Sequence, residues 1–324
     1  VAEKIAIIGE IQAGNLRPIT LECLAVAEQL AENGEIMVIF CGEKPSEIIC
    51  QEISSYSAAK IVWTLLEEKE RIVEIYNVSL QTIIEKEKPT KILLGNTETG
   101  KAVAPYLSEK LSCPLFSNII GLEKKNNQIA ARMSIFSGKL HQIINIELSS
   151  FIMTIKPNAF TLPVKKAQKK ITLEEAKIDK KVPVFPLVKI TKDLESKKDL
   201  IDAKVIVAGG RGLQNEEGYH LLQQLASSIG GTVGVARGAV DLGVADISLL
   251  IGQTGKTVSP DIYIACGISG AIQHIVGMNS AKTIVAINND SHAPIFDEAD
   301  YGVVGDIFEV LPALITELDS SNKE

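Results

Sequence analysis

Four short apolar runs punctuate the first hundred residues: "KIAIIG" (4–9), "EIMVIFCG" (35–42), "AKIVWTL" (59–65) and "KILLGN" (91–96). Each is apolar almost without interruption, so a strand built from it has no solvent face and belongs in a sheet covered on both sides. Between them lie "TLECLAVAEQLAENG" (20–34), "SEIICQEISSY" (46–56), "ERIVEIYNVSLQTIIEKEK" (70–88) and "GKAVAPYLSEKLS" (100–112), whose apolar residues recur at helical spacing. Such an alternation predicts a parallel sheet flanked by helices. Residues 113–162 change character: "QIAARMSIFSGKLHQIINIELSSFIMTIKP" offers short β-rich runs and few helix signals, and predicts later strands that extend or cover that sheet.

A second alternation begins near residue 203. "AKVIVAGG" (203–210), "GTVGVA" (231–236), "DIYIACG" (261–267) and "KTIVAINN" (282–289) read as strands. "NEEGYHLLQQLASSIG" (215–230), "SGAIQHIVGM" (269–278) and "DIFEVLPALITEL" (306–318) read as helices. The expected fold class is α/β in two domains. An N-terminal parallel-sheet α/β domain with added β strands covers 1–164, and a C-terminal doubly wound nucleotide-binding α/β domain covers 204–319. Residues 320–324 form a tail. The intervening 165–203, rich in lysine and carrying two prolines in "KKVPVFPLVKI", is expected to be a linker. A linker of that kind predicts that the second domain reorients.

Charge narrows the partners. Lysine and arginine number 16 against 19 acidic residues in 1–164, 12 against 7 in 165–204, and 5 against 14 in 205–324. So acidic a C-terminal third argues against nucleic acid, and its few cations, Arg211, Arg237, Lys256 and Lys282, stand out. No apolar run approaches the ~18–20 residues of a membrane span. "VAEKIAIIGE" enters a strand pattern with no basic leader, and the expected location is the cytoplasm. Cys23, Cys41, Cys50, Cys113 and Cys266 are scattered, with neither a CxxC pair nor clustered histidines, so buried thiols are expected and no metal site.

Several motifs bear on chemistry. "LIGQTGKT" (250–257) resembles a triphosphate loop, but that loop needs four residues between its glycines. Gly252 and Gly255 are separated by two, and Leu250 stands where the first glycine belongs. A kinase or ATPase reading is therefore rejected. "VIVAGGRGLQNEEG" places Gly209, Gly210 and Gly212 between a strand and a helix, where doubly wound folds receive ligands. Asn215 occupies the third glycine position of a dinucleotide fingerprint, and Arg211 suits a pyrophosphate. In "GVARGAVDLG", Arg237 either pairs with Asp241 or lies against a planar ligand. "GISGAIQH" offers a turn, Ser269 as the expected N-cap, and His274 in the first turns of a helix, either as a core residue or as a ligand contact.

Taken together, "IYIACGISGAIQHIVGMNSAKTIVAIN" (262–288) resembles the signature of the electron transfer flavoprotein α subunit family. "GGRGL" (209–213), "ARGAVD" (236–241), "GQTGK" (252–256), "APIF" (293–296), "ADYG" (299–302) and "GDIFEVLP" (305–312) are similar to its other C-terminal blocks. "TGKAVAPYLSEKL" (99–111) and "TIKPNAF" (154–160) resemble it more loosely. The resemblance implies FAD in the C-terminal domain and a heterodimer with a β subunit, the N-terminal domain providing the interface. It implies Arg211 at the phosphates, Arg237 at the isoalloxazine ring, and Thr254 at flavin N5, with Ile251, Gly252 and Gln253 in the same loop. Ser269, Gly270, Ala271, Ile272, Gln273 and His274 would wrap the ribityl and pyrophosphate part, His274 donating near O2. Asn288, Asp306 and Ile307 would hold the adenosine end.

These roles suit a carrier that must stabilise negative charge at the N1–C2=O end of a reduced ring, which a fixed cation and a donor would favour. Three positions depart from the family pattern: Ala236 replaces a hydroxyl residue, "VDLGVAD" lacks an aromatic, and Asn289 stands where lysine is common. The implied function is electron transfer from flavin dehydrogenases, such as those acting on acyl-CoA, to a downstream acceptor. One alternative is the α subunit of a bifurcating complex using NADH and ferredoxin or flavodoxin. Another is an NAD-dependent enzyme on a related fold, which would need a base at the nicotinamide, with His274 and Asp241 as candidates.

Overall fold

The computed structural model describes all residues except 1, 2, 32, 33, 57, 67–72, 126, 127, 137–139, 167–169, 179–199 and 322–324. The chain divides into two compact units, the first built on residues 1–134 and 141–196 and the second on 135–140 and 197–324. The proline-containing "KKVPVFPLVKI" lies outside the described residues.

In the first unit, β1 (Lys4–Ile8) is followed by a two-residue ribbon, β2 (Ile11–Gln12) and β3 (Asn15–Leu16). There follow α1 (Pro18–Leu30), β4 (Glu35–Gly42), α2 (Glu47–Ser54), β5 (Lys60–Leu65), α3 (Val73–Glu87), β6 (Lys91–Gly95) and α4 (Glu98–Leu111), the expected alternation. Four more strands, β7 (Leu115–Lys125), β8 (Gln128–Ile135), β9 (Leu140–Ile146) and β10 (Phe151–Ile155), fill the β-rich stretch, and β11 (Thr172–Glu175) comes last. The sheet order is β11-β5-β4-β1-β6-β10-β7-β8-β9. It is parallel from β11 through β7, and β8 turns antiparallel to β7.

Continuous apolarity is used as expected. Ile5 and Ile7 enter one core cluster, while Ala6 and Ile8 enter another on the opposite face. The expectation of a linker over 165–203 is corrected in part. Thr172–Glu175 pairs with Lys60–Trp63, and the Ala176 amide donates to the Trp63 carbonyl at 2.7 Å. Two of the nearby charges hold this strand in place: Glu174 pairs with Lys60 at 2.8 Å and Lys86 at 2.7 Å, and these two lysines draw its carboxyl down to about 2.

The second unit runs β12 (Val205–Gly209), α5 (Glu216–Ser228), β13 (Thr232–Val235), α6 (Arg237–Asp241), β14 (Ile262–Cys266), α7 (Ile272–Met278), β15 (Thr283–Asn288), β16 (Tyr301–Val304) and α8 (Ile307–Ser321). Its five strands are parallel in the order β13-β12-β14-β15-β16. The first strand lies inside the sheet, so successive connections leave β12 in opposite directions. The crevice beyond its carboxyl end, beside β14, is where such folds receive ligands. The short helix α6 and the exposed strand β16 were not expected from the pattern.

Candidate functional site

Beyond the carboxyl ends of β12 to β15 lies a cleft of about 830 Å³, within the range of small-molecule sites. Its walls come from the turns that follow these strands and from the loop 250–254. Of the residues singled out in the sequence, Arg211, Arg237, Ile251, Gly252, Gln253, Thr254, Ser269, Ala271, Gln273, His274 and Asn288 line it.

The glycines after β12 serve close packing. A Cβ on Gly210 would stand 2.4 Å from the Gly267 carbonyl oxygen, and one on Gly212 would stand 2.7 Å from the Gly267 Cα. Their amides donate to Cys266 and Gly267 carbonyls at 3.0 Å, so the two turns are stitched together at the floor of the cleft. Asn215, in the place of a third glycine, is the N-cap of α5 and accepts from the Gly218 amide at 3.1 Å. Arg211 projects from this turn and has no side-chain hydrogen bond or ion pair among the described residues.

Arg237 opens α6 and donates from Nε to Asp241 at 2.8 Å, four residues on. The pair with Asp241 is formed, and the paired guanidinium also lines the cleft. The loop opposite is held by backbone contacts. The Gln253 amide donates to the Gln273 carbonyl at 2.7 Å, and Gly252 adopts φ +144°, which a side chain resists. Gln253 and Thr254 are left exposed toward solvent.

His274 is held at both ring nitrogens. Its Nδ1 lies 3.0 Å from the Ile251 carbonyl and its Nε2 lies 2.9 Å from the Tyr263 hydroxyl. A carbonyl can only accept, so Nδ1 carries a proton. Burial pulls the imidazole down to about 4, only partly offset by the Ile251 hydrogen bond, so the ring is neutral and Nε2 accepts from Tyr263. Its single N–H is thus directed to Ile251, on the loop that lines the cleft. His274 is not a free base, and Asp241 is engaged with Arg237, so neither candidate suits a dehydrogenase of the alternative kind.

Other placements also correct the sequence reading. Ser269 does not cap α7: the N-cap is Ala271, without a side-chain hydrogen bond. Gly270 sits behind the wall, its φ of +89° bringing the chain so near Ile295 that a Cβ would lie 2.2 Å from the Ile295 amide nitrogen. Ile272 points to solvent. Asp306 caps α8 by accepting from the Phe308 amide at 2.9 Å, and Ile307 is packed in the core. Gly270, Ile272, Asp306 and Ile307 thus fall outside the lining. Asn288 is buried, donating to the Ile268 carbonyl at 2.8 Å and accepting from the Asp290 amide at 2.9 Å. Gln214, Asp290, Ala293 and Pro294 line the cleft without having been assigned a role. "APIF" in the family series was the one signal for the last two.

A five-stranded parallel doubly wound unit, with glycine turns packed at the switch point and two arginines facing a cleft there, defines a nucleotide-cofactor binding domain. Residues 199–279 match the Electron transfer flavoprotein FAD-binding domain, and residues 5–181 match the Electron transfer flavoprotein domain. The Electron transfer flavoprotein subunit alpha of Bacillus subtilis is 38% identical over 99% of this chain and 98% of its own length. That of Clostridium acetobutylicum is 33% identical over 98% and 97%. The Lactate dehydrogenase (NAD(+),ferredoxin) subunit LctC of Acetobacterium woodii is 32% identical over 96% of this chain and 76% of its own. The chain belongs to the electron transfer flavoprotein family, as a member of its α subunit group, and its cofactor is FAD. Among the described residues no helix is long and apolar enough to cross a membrane.

Proposed function

We propose that FAD lies in the cleft of the second unit and that the chain, paired with a β subunit, carries electrons from flavin dehydrogenases, such as those acting on acyl-CoA, to a downstream acceptor. The observation that carries the placement is Arg211, a cation without a side-chain partner among the described residues, standing beside the glycine turns at the switch point. A guanidinium so placed suits a pyrophosphate. Arg237, already oriented by Asp241, fixes positive charge along another wall, and the Ile251–Thr254 loop would meet the ring edge with Thr254 reaching N5. Asn288 supports the adenosine side. Bound flavin supplies one-electron and hydride chemistry; the protein holds it, sets the charge around it and limits water.

The β subunit is placed on the first unit, whose sheet ends at β9 with Ile143 exposed. Five free cysteines among the described residues favour a reducing compartment, the cytoplasm. Co-expression with the β subunit and quantitation of FAD per complex tests the reading. One FAD per pair supports a simple carrier; a colourless pair that cannot be reconstituted refutes the placement. The similarity to the lactate dehydrogenase (NAD(+),ferredoxin) subunit favours a second reading, a bifurcating pair. Two FAD per pair, with ferredoxin reduction that depends on NADH, would select it.

A further inference from the structure

Tyr263 is among the largest fully buried side chains of the protein, at the second position of the central strand β14. A phenol buried this deeply needs a partner, and the one it has is the imidazole of His274. The imidazole in turn grips Ile251, in the loop that lines the cleft. Three groups on three elements therefore form one chain of hydrogen bonds, from the Tyr263 hydroxyl through both ring nitrogens to the Ile251 carbonyl.

Direction along this chain is set at its end. Because Nδ1 must donate to the carbonyl, neutral His274 must accept at Nε2, and the Tyr263 hydroxyl is the donor that satisfies it. Without the phenol, Nε2 becomes a buried acceptor with no partner, and rotating the ring to satisfy it would break the bond to Ile251. Other ties reach neighbouring residues of the loop, among them the Gln253 amide to the Gln273 carbonyl of α7 at 2.7 Å and the Ile251 amide to the Val235 carbonyl at 2.9 Å; the imidazole adds the bond that holds the Ile251 carbonyl itself.

We infer that Tyr263 is a positioning residue for the flavin loop, acting through His274 to hold the Ile251 carbonyl and so fix the segment Ile251–Thr254 against the cofactor. The inference rests on the placement of FAD in this cleft. It assigns His274 the work of a latch behind the loop, with Tyr263 as the residue that keeps the latch in register.

The test is a double-mutant cycle in the intact α/β complex, using Tyr263→Phe in the wild-type background and in His274→Asn, whose amide can still donate to Ile251 but offers nothing to Tyr263. Nitrogen-15 NMR of the imidazoles is recorded on wild type and Tyr263→Phe. The expected results are a wild-type His274 with a protonated Nδ1 and a hydrogen-bonded Nε2, and a variant whose Nε2 signal moves toward that of an unbonded imine. FAD release should be faster by about tenfold in Tyr263→Phe, the cost of one buried hydrogen bond, and less than about twofold faster when the same change is made in His274→Asn. Equal acceleration in both backgrounds would assign Tyr263 to packing alone and overturn the relay, as would an unmoved Nε2 signal. A moved signal with unchanged FAD release would disconnect the relay from the cofactor and overturn the positioning role. Failure of the cleft assignment reads out separately, as Thr254→Ala and Arg211→Ala complexes that retain FAD like wild type.

Discussion

Gly277 of α7 and Gly252 of the flavin loop pack backbone against backbone: a Cβ on Gly277 would stand 2.4 Å from the Gly252 nitrogen and 2.5 Å from its Cα. Neither neighbour is a flexible side chain that can swing away. An exposed helical glycine gains about 1 kcal/mol on replacement by alanine, but here the new methyl meets main chain. The clash outweighs propensity, and Gly277→Ala is expected to destabilise the second unit by about 1–3 kcal/mol and lower its FAD content. Thermal unfolding followed by flavin fluorescence checks both.

His274 gives the second unit an acid sensitivity of definite sign. Its imidazole lies near 4 in the folded protein against 6.5 when unperturbed, chiefly because it is buried. Between those values the unfolded chain binds the extra proton, so its contribution is complete above about pH 6.5 and is lost as the pH falls toward 4, to a total of about 3 kcal/mol. His274→Gln should be less stable than wild type at pH 7 yet lose less between pH 7 and 4.5, measured by denaturant unfolding at each pH. Parallel losses in the two proteins would refute the assignment.

Arg211→Ala should weaken FAD binding by about 10- to 100-fold, the loss of a charged hydrogen bond to phosphate. Arg211→Lys should recover part of the loss, since charge is kept and the planar fork is not. Titration of the FAD-free α/β complex with FAD measures each. Equal affinity in all three proteins would move the phosphates elsewhere.

How much of this was legible in the sequence depends on whether the cause was local. Each apolar run of the first unit became a strand because a both-faces-buried strand must be written as Ile5-Ala6-Ile7-Ile8 or its like. Strand order was not readable, since nothing near Phe151 says that β10 will slip between β6 and β7. Thr172–Glu175 was hidden by its charges: as an edge strand it buries little, and the lysines that anchor it, Lys60 and Lys86, lie on β5 and α3, far from it in sequence. In the site, glycine spacing spoke against a triphosphate loop, and Arg211 and Asn288 both line the cleft. His274 was found, but its bonds to Tyr263 and Ile251 were not readable, because these partners lie on other elements and a one-dimensional motif does not record which nitrogen faces which oxygen.

Glu87 offers a test in the first unit. It lies between Lys4 at the start of β1, forming their contact at 2.6 Å, and Lys60 at the start of β5, at 2.8 Å. Burial raises its carboxyl, the two lysines overcome this, and the net effect is downward. Glu87→Gln takes this counter-charge from Lys4 and leaves Lys60 with Glu174 alone, and should cost about 2 kcal/mol, at the low end for a broken buried pair because Lys60 keeps one partner and both lysines retain some solvent. A chemical denaturation midpoint unchanged from wild type would argue that the lysines find compensation in Glu174 and water.

The position of β10 has a consequence for synthesis. It is hydrogen-bonded on both sides, to β6 and to β7, and is made after every strand it joins. A nascent chain that has reached Ile146 owns both flanks of the sheet and lacks the piece that unites them. Until Phe151–Ile155 emerges from the ribosome, β6 exposes an open apolar edge of the kind that recruits strange strands. Cells making this protein must shelter that edge for the time it takes to translate some sixty residues beyond Gly95, about 3–12 s at ordinary elongation rates.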